Sequence, residues 1–515
     1  MFNVDYLDGQ LGKHPLNTLF DQTKEAYEDD KIFDDDEEIR LRPATGREIV
    51  KLLERYNLSD TSEDIKGIAF ERFLGRTFRG EIGQFFTPRT IVEFMIRMIA
   101  PREGEIICDP ASGSGGFLIR FFEIVREQIL ADADKEYQIY KSKLEWKKLP
   151  DVKKAEALRD KFSEIRATLD QQKRDSRLWK LANRCIYGTD ANDRMARTSK
   201  MNMIMHGDGH GGVHHHDGFL NANGIFEGRF DIILTNPPFG ANVEPSDVVQ
   251  AETMVSPEVS KRYENDYGVL YVHAIERVRA AVGKPIASLF ELPKSEKSKI
   301  KTEILFIERC LSLLKPGGRL GIVLPEGVFN NSSLAYVREF CENRAFIRAV
   351  VSLPQETFFS SGASVKASLL FLQKFTVKEQ ANFNANQAKA RAEAEASHAE
   401  EITAETERLE DAIATAIEAR NTQQRKNLKA ELADFQKQIA ITIATEARQL
   451  LKERCSYPIF LYEAEKVGIT ATGDADENEL FPNSRPPEGL SKTCLELYQE
   501  FRRNPKDFLT EGGAS

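Results

Sequence analysis

Residues 230–240, FDIILTNPPFG, begin with a run of mainly apolar and β-branched residues and end in a stiff Asn-Pro-Pro-Phe tip. Two prolines at the end of a buried strand are unusual, because proline removes a hydrogen-bond donor and restricts the chain. They would fix the tip so that the side-chain oxygen of Asn236 and the carbonyl of Pro237 converge on one amino group, whose lone pair then faces an electrophile. Pro238 belongs to the same rigid turn, and Phe239 offers an aromatic face on which a flipped base can stack. A proline-rich loop after a core strand is the alternative, but it leaves Asn236 and Phe239 without a role.

A second candidate site is the segment EIICDPASGSGGFLI, where an apolar strand is followed by Asp109 and a glycine-rich loop. Gly113, Gly115 and Gly116 let a ligand approach the backbone at the carboxyl end of a strand, which is where open α/β sheets bind cofactors. The acid at the strand end disfavours a pyrophosphate and suits the sulfonium and ammonium groups of S-adenosylmethionine. The glycine spacing alone is a weak signal, and a purely structural strand-to-helix turn is the alternative.

Two further acids follow predicted strands. Asp190 ends CIYGTD, where a carboxylate can accept hydrogen bonds from a ribose diol, although it lies farther from Asp109 than the roughly 20 residues usual in such folds. Asp217 ends a segment that holds five of the eight histidines, HGDGHGGVHHHDGF, and it could contact the amino group of a cofactor adenine. The histidines lack H-x-x-x-H spacing and cysteine ligands, so a polar loop at the sheet edge is favoured over a metal site, and we expect no metal.

Short apolar runs alternate with helical stretches from about residue 105 to 375, which predicts an α/β sheet with crossover helices. The strand candidates are EIIC, CIYGTD, FDIILTN, RLGIVLP, AVVSLP and SLLFLQKF. A charged insertion at 134–183, with 14 basic against 9 acidic residues, separates the first two and explains the distant Asp190. The insertion could contact phosphates, but solvated helical faces are the commoner explanation.

The flanking segments have helical patterns. Residues 1–80 contain periodic stretches such as REIVKLLERYNL, and this helical segment is short enough to be truncated. Residues 376–457 lack both Gly and Pro and have a long-helix composition, followed by a tail at 458–515 with a last helix around KTCLELYQEFRR. Two apolar stripes run along the long helices: Ile402, Leu409, Ile413 and Ile417, then Leu428, Leu432, Phe435 and Ile439. One rod of roughly 100 Å or a helical hairpin satisfies this pattern equally.

Composition narrows the class of protein. The chain has 515 residues, of which 41% are hydrophobic, so it can form two or three domains with sizeable cores. Its net charge of −10 opposes nonspecific binding to a polyanion, so any binding to nucleic acid must come from a local basic patch or from a partner protein. Six scattered cysteines without C-x-x-C spacing favour reduced thiols, and the sequence has neither a signal-peptide core nor a membrane-spanning run. We therefore expect a cytoplasmic protein that does not contact a membrane.

Taken together, these motifs resemble a known family. NPPF downstream of DPASGSGGF is similar to the amino-methyltransferases that modify adenine N6 in DNA, and GQFFTPRTIVEFMIRMI before the first strand resembles the modification (M) subunit of type I restriction-modification systems. The resemblance runs from about Ile68 to Phe375. It implies a Rossmann-like S-adenosylmethionine-dependent methyltransferase sheet at 81–375, with the helical N-terminal segment and the long C-terminal helices outside it. The long insertion and an Asp rather than Glu at 190 depart from the family pattern.

The resemblance also implies roles and partners. By analogy, S-adenosylmethionine would be bound by Gln84, Phe85, Phe86, Thr87, Pro88, Arg89, Asp109, Gly113, Ser114, Gly115, Gly116, Asp190 and Asp217. Asn236, Pro237, Pro238 and Phe239 would carry the reaction on a flipped DNA adenine. The family implies a specificity (S) subunit that supplies DNA recognition and joins two M subunits, and a restriction (R) subunit that can be added. The long helices would then dock on the S subunit.

Two other functions stay open. Enzymes that methylate a protein glutamine or ribosomal RNA also use an Asn-Pro-Pro tip, but they are usually shorter and lack the QFFTPR segment. A catalytically silent scaffold subunit is a different class, and the joint presence of Asp109, Asp190 and Asn236 speaks against it.

Overall fold

The computed structural model describes residues 15–26, 32–33, 36–56, 87–207, 211–251, 255–293, 295, 299–361 and 364–508. They fall into two compact units. The larger contains the described residues up to Glu342, Phe346–Lys374 and those from Phe460 onward, and the smaller contains Asn343–Ala345 and Phe375–Ile459. Within these ranges, none of the helices has the length and apolar character that crossing a membrane requires.

The elements are numbered along the chain. The helices are α1 Pro15–Ala26, α2 Pro43–Leu53, α3 Arg89–Ile99, α4 Gly116–Glu145, α5 Asp151–Thr168, α6 Arg177–Arg184, α7 Asp193–Met205, α8 Pro257–Tyr267, α9 Val269–Arg279, α10 Thr302–Leu313, α11 Gly327–Asn330, α12 Ala335–Glu342, α13 Val377–Ser397, α14 Ala399–Glu418, α15 Thr422–Arg454 and α16 Cys494–Arg503. The strands are β1 Ile107–Asp109, β2 Ile186–Asp190, β3 Val213–His215, β4 Phe230–Thr235, β5 Asn242–Val243, β6 Ile300–Lys301, β7 Leu314–Pro325, β8 Ala345–Ser352, β9 Ala367–Lys374, β10 Phe460–Glu463, β11 Val467–Ile469 and β12 Ala475–Asn478. Short 3₁₀ helices span Ile286–Leu289, Ser332–Leu334, Gln355–Ser361 and Pro505–Phe508.

An eight-stranded sheet organises the larger unit, in the order β10-β8-β9-β7-β4-β1-β2-β3. Its strands pair in parallel except for β9, which runs antiparallel to β7 and, by the Leu353-to-Ala367 and Phe375-to-Arg344 backbone hydrogen bonds, to β8 as well. In register, Ile107 of β1 lies opposite Ile186 of β2 and Ile232 of β4. All six predicted strands are present, and the α/β fold class is confirmed.

The central strands are buried because helices cover the sheet. β4 has the burial expected of a parallel strand, with Phe230 and Ile232 to Leu234 fully buried. The helix α3 contributes seven buried apolar side chains to the same core from the sequence RTIVEFMIRMI. The first part of α4 contributes another apolar face that includes Phe117 and Phe121. The apolar residues thus fix the strand positions on which the candidate site depends.

Strand order reverses beside β1, which pairs with β2 on one side and with β4 on the other. The connections from β1 and β4 therefore leave in opposite directions and open a crevice at their carboxyl ends, where open α/β sheets bind ligands. The Asp109 and Asn236 segments both emerge there. The fold alone brings together two motifs that are far apart in sequence.

The charged insertion at 134–183 is helical. It consists of the distal part of α4, the helix α5 packed beside it, and all of α6 except its last residue. Ion pairs hold part of its charge: Lys161 Nζ lies 2.7 Å from Glu136 Oε1 and 3.0 Å from Glu164 Oε1. Arg177 bonds Glu103, which lies outside the insertion.

The segment after Pro458 is more than a tail. Its strand β10 adds to the edge of the main sheet in parallel with β8, and the predicted last helix is present as α16. Phe460 packs against Tyr498 and Phe501 of α16, with ring centroids 5.4 and 5.5 Å apart. The four-residue strand FLYE has no long apolar run, so its local pattern does not predict a strand.

The smaller unit is a helical hairpin. The helices α13 and α14 follow one another with a break at His398, and α15 packs against both of them. Of the two arrangements that the apolar stripes allow, the structure has the hairpin. Leu409 is fully buried, the stripe on α15 is half-buried, and Ile417 is 51% exposed.

Candidate functional site

The glycine-rich loop joins β1 to α4. Gly113 and Gly115 adopt positive φ angles of 52° and 84°, which favour glycine, and Gly115 is the N-cap of α4. A side chain at Gly115 would also be blocked, since its Cβ would lie 2.6 Å from Ser199 Oγ. Asn202 Nδ2 donates to the Ser114 carbonyl at 2.9 Å and so ties the loop to α7.

Asp109 is only 1% exposed at the end of β1. Its Oδ1 accepts a hydrogen bond from the Ala111 N–H at 3.0 Å. Burial raises the pKa of Asp109 to about 7, and the nearby Asp190 carboxylate pushes it in the same direction, against the effect of the Ala111 bond. A cation placed beside this carboxyl group would favour its charged form.

Asp190 ends β2, and its side chain helps to build the loop. Oδ2 accepts from the Gly113 N–H at 3.0 Å and Oδ1 accepts from the Asn192 N–H at 2.8 Å. Burial raises the pKa of Asp190 above its ordinary value, while these two bonds oppose the shift. Each oxygen retains a second lone pair, so the carboxylate can still accept hydrogen bonds from a diol.

Asn236 follows β4 and lies on the wall of the same cavity. Its Nδ2 donates to Thr87 Oγ1 at 3.0 Å. Its Oδ1 is buried and accepts no hydrogen bond among the described residues. An unsatisfied buried acceptor is costly and therefore marks a place where a ligand donor would be stabilising.

One cavity unites these motifs. It is lined by Thr87, Val92, Asp109, Ala111, Ser112, Gly113, Ser114, Gly116, Phe117, Asp190, Ala191, Asn192, Met195, Asn236, Pro237 and Pro238. The side chains of two predicted site residues, Phe239 and Asp217, make contacts outside this cavity. The ring of Phe239 is partly buried against the hydrophobic core, and Asp217 Oδ1 accepts from the Phe219 N–H at 2.9 Å. Neither is among the residues that line the cavity.

Only part of the predicted QFFTPR segment can be placed. Gln84, Phe85 and Phe86 lie outside the described residues. Thr87 lines the cavity, Pro88 is buried as the N-cap of α3, and Arg89 begins that helix with an exposed side chain.

Within the described ranges, no group of three or more His, Cys, Asp or Glu side chains is arranged to hold a metal ion. His214 and His215 belong to β3 rather than to a loop, and the His206 Nδ1 atom lies 2.9 Å from Glu123 Oε1. Residues 208–210 of the histidine segment are outside the description.

Several lining residues were missed by sequence reasoning. Asn192 caps α7, because its side chain accepts from the Met195 N–H at 3.2 Å, and Met195 itself reaches the cavity. An Asn directly before a helical stretch is a readable N-cap signal, so this pair could have been found. The apolar Val92 and Phe117 gave no such signal, since nothing in sequence separates them from core residues.

The site residues fit S-adenosylmethionine. Asp109 is a buried acid whose ionisation a sulfonium or ammonium would favour, and Asp190 offers acceptors for a ribose diol. The sheet topology and the loop define an open α/β cofactor-binding protein whose site lies at the topological switch point. The chain belongs to the N-6 DNA methylase family, whose model matches residues 61–150, 168–305 and 288–442.

Curated relatives are methylase subunits of type I restriction enzymes. The EcoEI methylase subunit from Escherichia coli is 23% identical over 332 residues, which cover 64% of this chain and 50% of the relative. The EcoKI methylase subunit from Escherichia coli strain K12 is 23% identical over 301 residues, which cover 57% of this chain and 41% of the relative. The chain thus spans about half the length of these relatives.

A similar solved structure is the methyltransferase subunit of a type I restriction-modification system from Streptococcus thermophilus. It is 19% identical with a TM-score of 0.43, and the match covers 72% of this chain and 64% of that one.

Proposed function

We propose that the chain is a site-specific DNA adenine N6-methyltransferase that acts as the modification subunit of a type I restriction-modification complex. The observation that carries this proposal is the unsatisfied Oδ1 of Asn236, in a residue that shares one cavity with Asp109, Asp190 and the glycine loop. An acceptor without a partner beside a cofactor cavity is what an exocyclic amine requires. Family membership supports the choice of DNA adenine over other amines.

Each residue has a distinct part in the proposed reaction. S-adenosylmethionine, when bound, supplies an electrophilic methyl group. Asp190 and the loop from Gly113 to Gly116 would bind its nucleoside part, and Asp109 would favour its positive charge. Asn236 Oδ1 and the Pro237 carbonyl accept hydrogen bonds from the adenine amino group and turn its lone pair away from the ring. The proton released after transfer can pass to solvent.

The proposed roles of Phe239 and Asp217 each require one further condition. Base stacking on Phe239 requires its ring to leave the core contact that it makes in this structure. Contact between Asp217 and a cofactor adenine requires a ligand that extends beyond the cavity lining given above. Both roles therefore remain predictions.

The proposed partners follow from the family. The specificity subunit would supply DNA recognition to a chain whose net charge is −10, and two M subunits would join one S subunit, with an R subunit added for cleavage. The hairpin α13–α15 is the proposed S-subunit docking surface, because it exposes Ile417 and Ile441 to 51% and 52%.

Reconstitution tests the function. The chain is co-expressed with the products of its neighbouring genes, and the purified complex is incubated with labelled S-adenosylmethionine and DNA. The expected product is N6-methyladenine at one sequence, identified by mass spectrometry of the nucleosides. Methyl transfer only to RNA or to a protein glutamine would support the runner-up enzyme class, and a folded complex without any transfer would support the scaffold.

A further inference from the structure

The contact between Thr87 and Asn236 joins two motifs that are far apart in sequence. Thr87 precedes α3, Asn236 follows β4, and Asn236 Nδ2 donates to Thr87 Oγ1 at 3.0 Å. Both residues line the cavity. In this arrangement the hydroxyl oxygen accepts from Nδ2, so the Thr87 O–H points away from the amide and the Nδ2 end of Asn236 faces Thr87.

The orientation of this amide decides the sign of its interaction with a substrate amine. Oδ1 accepts hydrogen bonds, whereas Nδ2 only donates them, so an amide turned by 180° would present a donor to an amine. With Nδ2 held by Thr87, Oδ1 is the atom left without a partner among the described residues. The two observations are complementary, because one amide end is satisfied and the other is available.

We infer that Thr87 is a positioning residue for the reaction: it holds the Asn236 amide in the one orientation that offers Oδ1 to the target amino group. This inference rests on the proposed function for its kinetic consequence. The hydroxyl acts through Asn236 and need not touch the base. Its effect is on kcat, since the amine must be held for transfer.

A set of variants separates orientation from other roles. Thr87→Val keeps the shape but removes the acceptor, and Thr87→Ser restores it. We expect Thr87→Val to lower kcat, measured at saturating S-adenosylmethionine, about 5- to 10-fold, as the loss of one hydrogen bond predicts, with rescue by Thr87→Ser. In an Asn236→Asp background the carboxylate oxygens are equivalent, so the Thr87→Val penalty should shrink to less than about 2-fold.

A readout without catalysis keeps this test independent of the proposed function. In protein labelled with ¹⁵N-Asn, the Asn236 side-chain amide resonances are assigned by their loss in Asn236→Asp. Thr87→Val should shift or broaden them, and Thr87→Ser should restore them. The inference about Thr87 would be overturned if the Asn236 amide resonances are unchanged in Thr87→Val, or if this variant has the same kcat as an active wild-type protein. If the wild-type protein is inactive but the resonances change as expected, the result counts only against the proposed function.

An independent observation concerns the tip of the helical insertion, residues 143–154, between α4 and α5. Trp146 is 90% exposed and Val152 is 78% exposed. The tip carries five lysines and two acids: Lys143, Lys147, Lys148, Lys153 and Lys154 with Glu145 and Asp151. It is a local excess of positive charge around an exposed indole in a chain of net charge −10.

The lysines of the tip form no ion pair among the described residues. Of the basic residues elsewhere in the insertion, Lys161 and Arg177 are the two that are paired with carboxylates there. In the part of the chain that the structure describes, Lys147, Lys148 and Lys153 have no acid within ion-pair distance, and Lys154 Nζ reaches only the Glu145 carbonyl at 3.4 Å. Uncompensated lysines beside an exposed aromatic ring match the phosphates and base or sugar faces of a nucleic acid.

We propose that this tip contacts the phosphate backbone of duplex DNA, apart from the segment that carries the target base. The 30 residues of α4 begin at the glycine loop and extend about 45 Å, so the tip is far from the cavity. Such a contact adds affinity without sequence information. This extends the proposed function to an accessory DNA contact on the chain itself.

A charge-matched pair of variants tests the contact. In the tip variant, glutamine replaces Lys147, Lys148, Lys153 and Lys154. In the control variant, glutamine replaces four lysines that are exposed on α15: Lys426, Lys429, Lys437 and Lys452. Binding of the full chain to a 30-base-pair duplex is measured by anisotropy between 50 and 200 mM NaCl. In the tip variant, the magnitude of the negative slope of log K against log salt should decrease by about 2 to 4, and the affinity for DNA at 100 mM NaCl should fall about 10-fold. In the control variant, the slope and the affinity should change less than this.

Trp146 reports the same contact directly. Trp179→Phe leaves Trp146 as the one tryptophan, because the chain has two. DNA should quench its emission, and polyglutamate should not. Equal salt slopes in the tip and control variants, or quenching by polyglutamate alone, would overturn the proposal, the second in favour of an acidic protein partner.

Discussion

The cofactor cavity and the helical hairpin differ in whether their polar side chains have hydrogen-bond partners. At the cavity, Ser112 and Asn236 have buried side-chain oxygens without a hydrogen-bond partner among the described residues. In the hairpin, polar side chains pair at the surface, as Arg408 does with Glu405 and Glu431, and closely packed alanines such as Ala390 are buried. Unsatisfied buried groups destabilise a fold unless a ligand completes them. The comparison teaches that the cavity is arranged for a ligand and the hairpin for packing.

The largest expected effect separates chemistry from stability at Asn236. Asn236→Ala removes an acceptor that nothing in the described chain satisfies, so we expect kcat to fall about 10²- to 10³-fold. The free energy of unfolding should change by less than about 1 kcal/mol, because a lost bond to Thr87 is offset by removal of an unsatisfied group. Methyl-transfer assays and chemical denaturation measure the two effects. Wild-type turnover in this variant would refute the proposed mechanism.

The hairpin should show the opposite result. Leu409 is fully buried, so Leu409→Ala should lower the unfolding free energy of the hairpin by about 2–3 kcal/mol through lost burial and a cavity. Ile417→Ala is the matched control on the same helix, and it should cost less than about 1 kcal/mol because that side chain is 51% exposed. Denaturant unfolding followed by circular dichroism gives both values. Similar losses in the two variants would mean that α14 is not packed as described.

The smallest effect is electrostatic and belongs to Asp109. Its pKa of about 7 lies above the unfolded value near 3.9, so the folded chain binds more protons between these values. The contribution of Asp109 to stability therefore falls as pH rises from about 4 to 7. Binding of a cationic cofactor favours the ionised form, so S-adenosylmethionine affinity should rise about 5- to 10-fold between pH 6 and pH 8.

Calorimetry at several pH values checks this dependence. Binding near pH 7 should release a fraction of a proton, seen as a heat that varies with the buffer's ionisation enthalpy. Asp109→Asn should flatten the pH profile of Kd. A profile that keeps its slope in this variant would assign the titration to another group.

Much of the larger unit was predictable because its signals are local. Apolar runs marked six strands, and glycine spacing marked a loop whose positive φ angles the structure confirms. The edge strand β10 was not predicted, since its short sequence becomes a strand only through pairing with β8. The position of Asp217 away from the cavity lining also depends on packing that no local pattern encodes.

The sequence by itself determined the chemical inventory: an acid at a strand end, a glycine-rich loop, and an Asn-Pro-Pro tip at the end of another strand. Tertiary structure alone decided which of these groups meet. It joined Gly113 to Asp190 and Thr87 to Asn236 through hydrogen bonds between distant segments, and it folded the long helices into a hairpin. The physical reason is that strand propensity and turn chemistry act over a few residues, whereas strand order and side-chain pairing depend on burial across the whole unit.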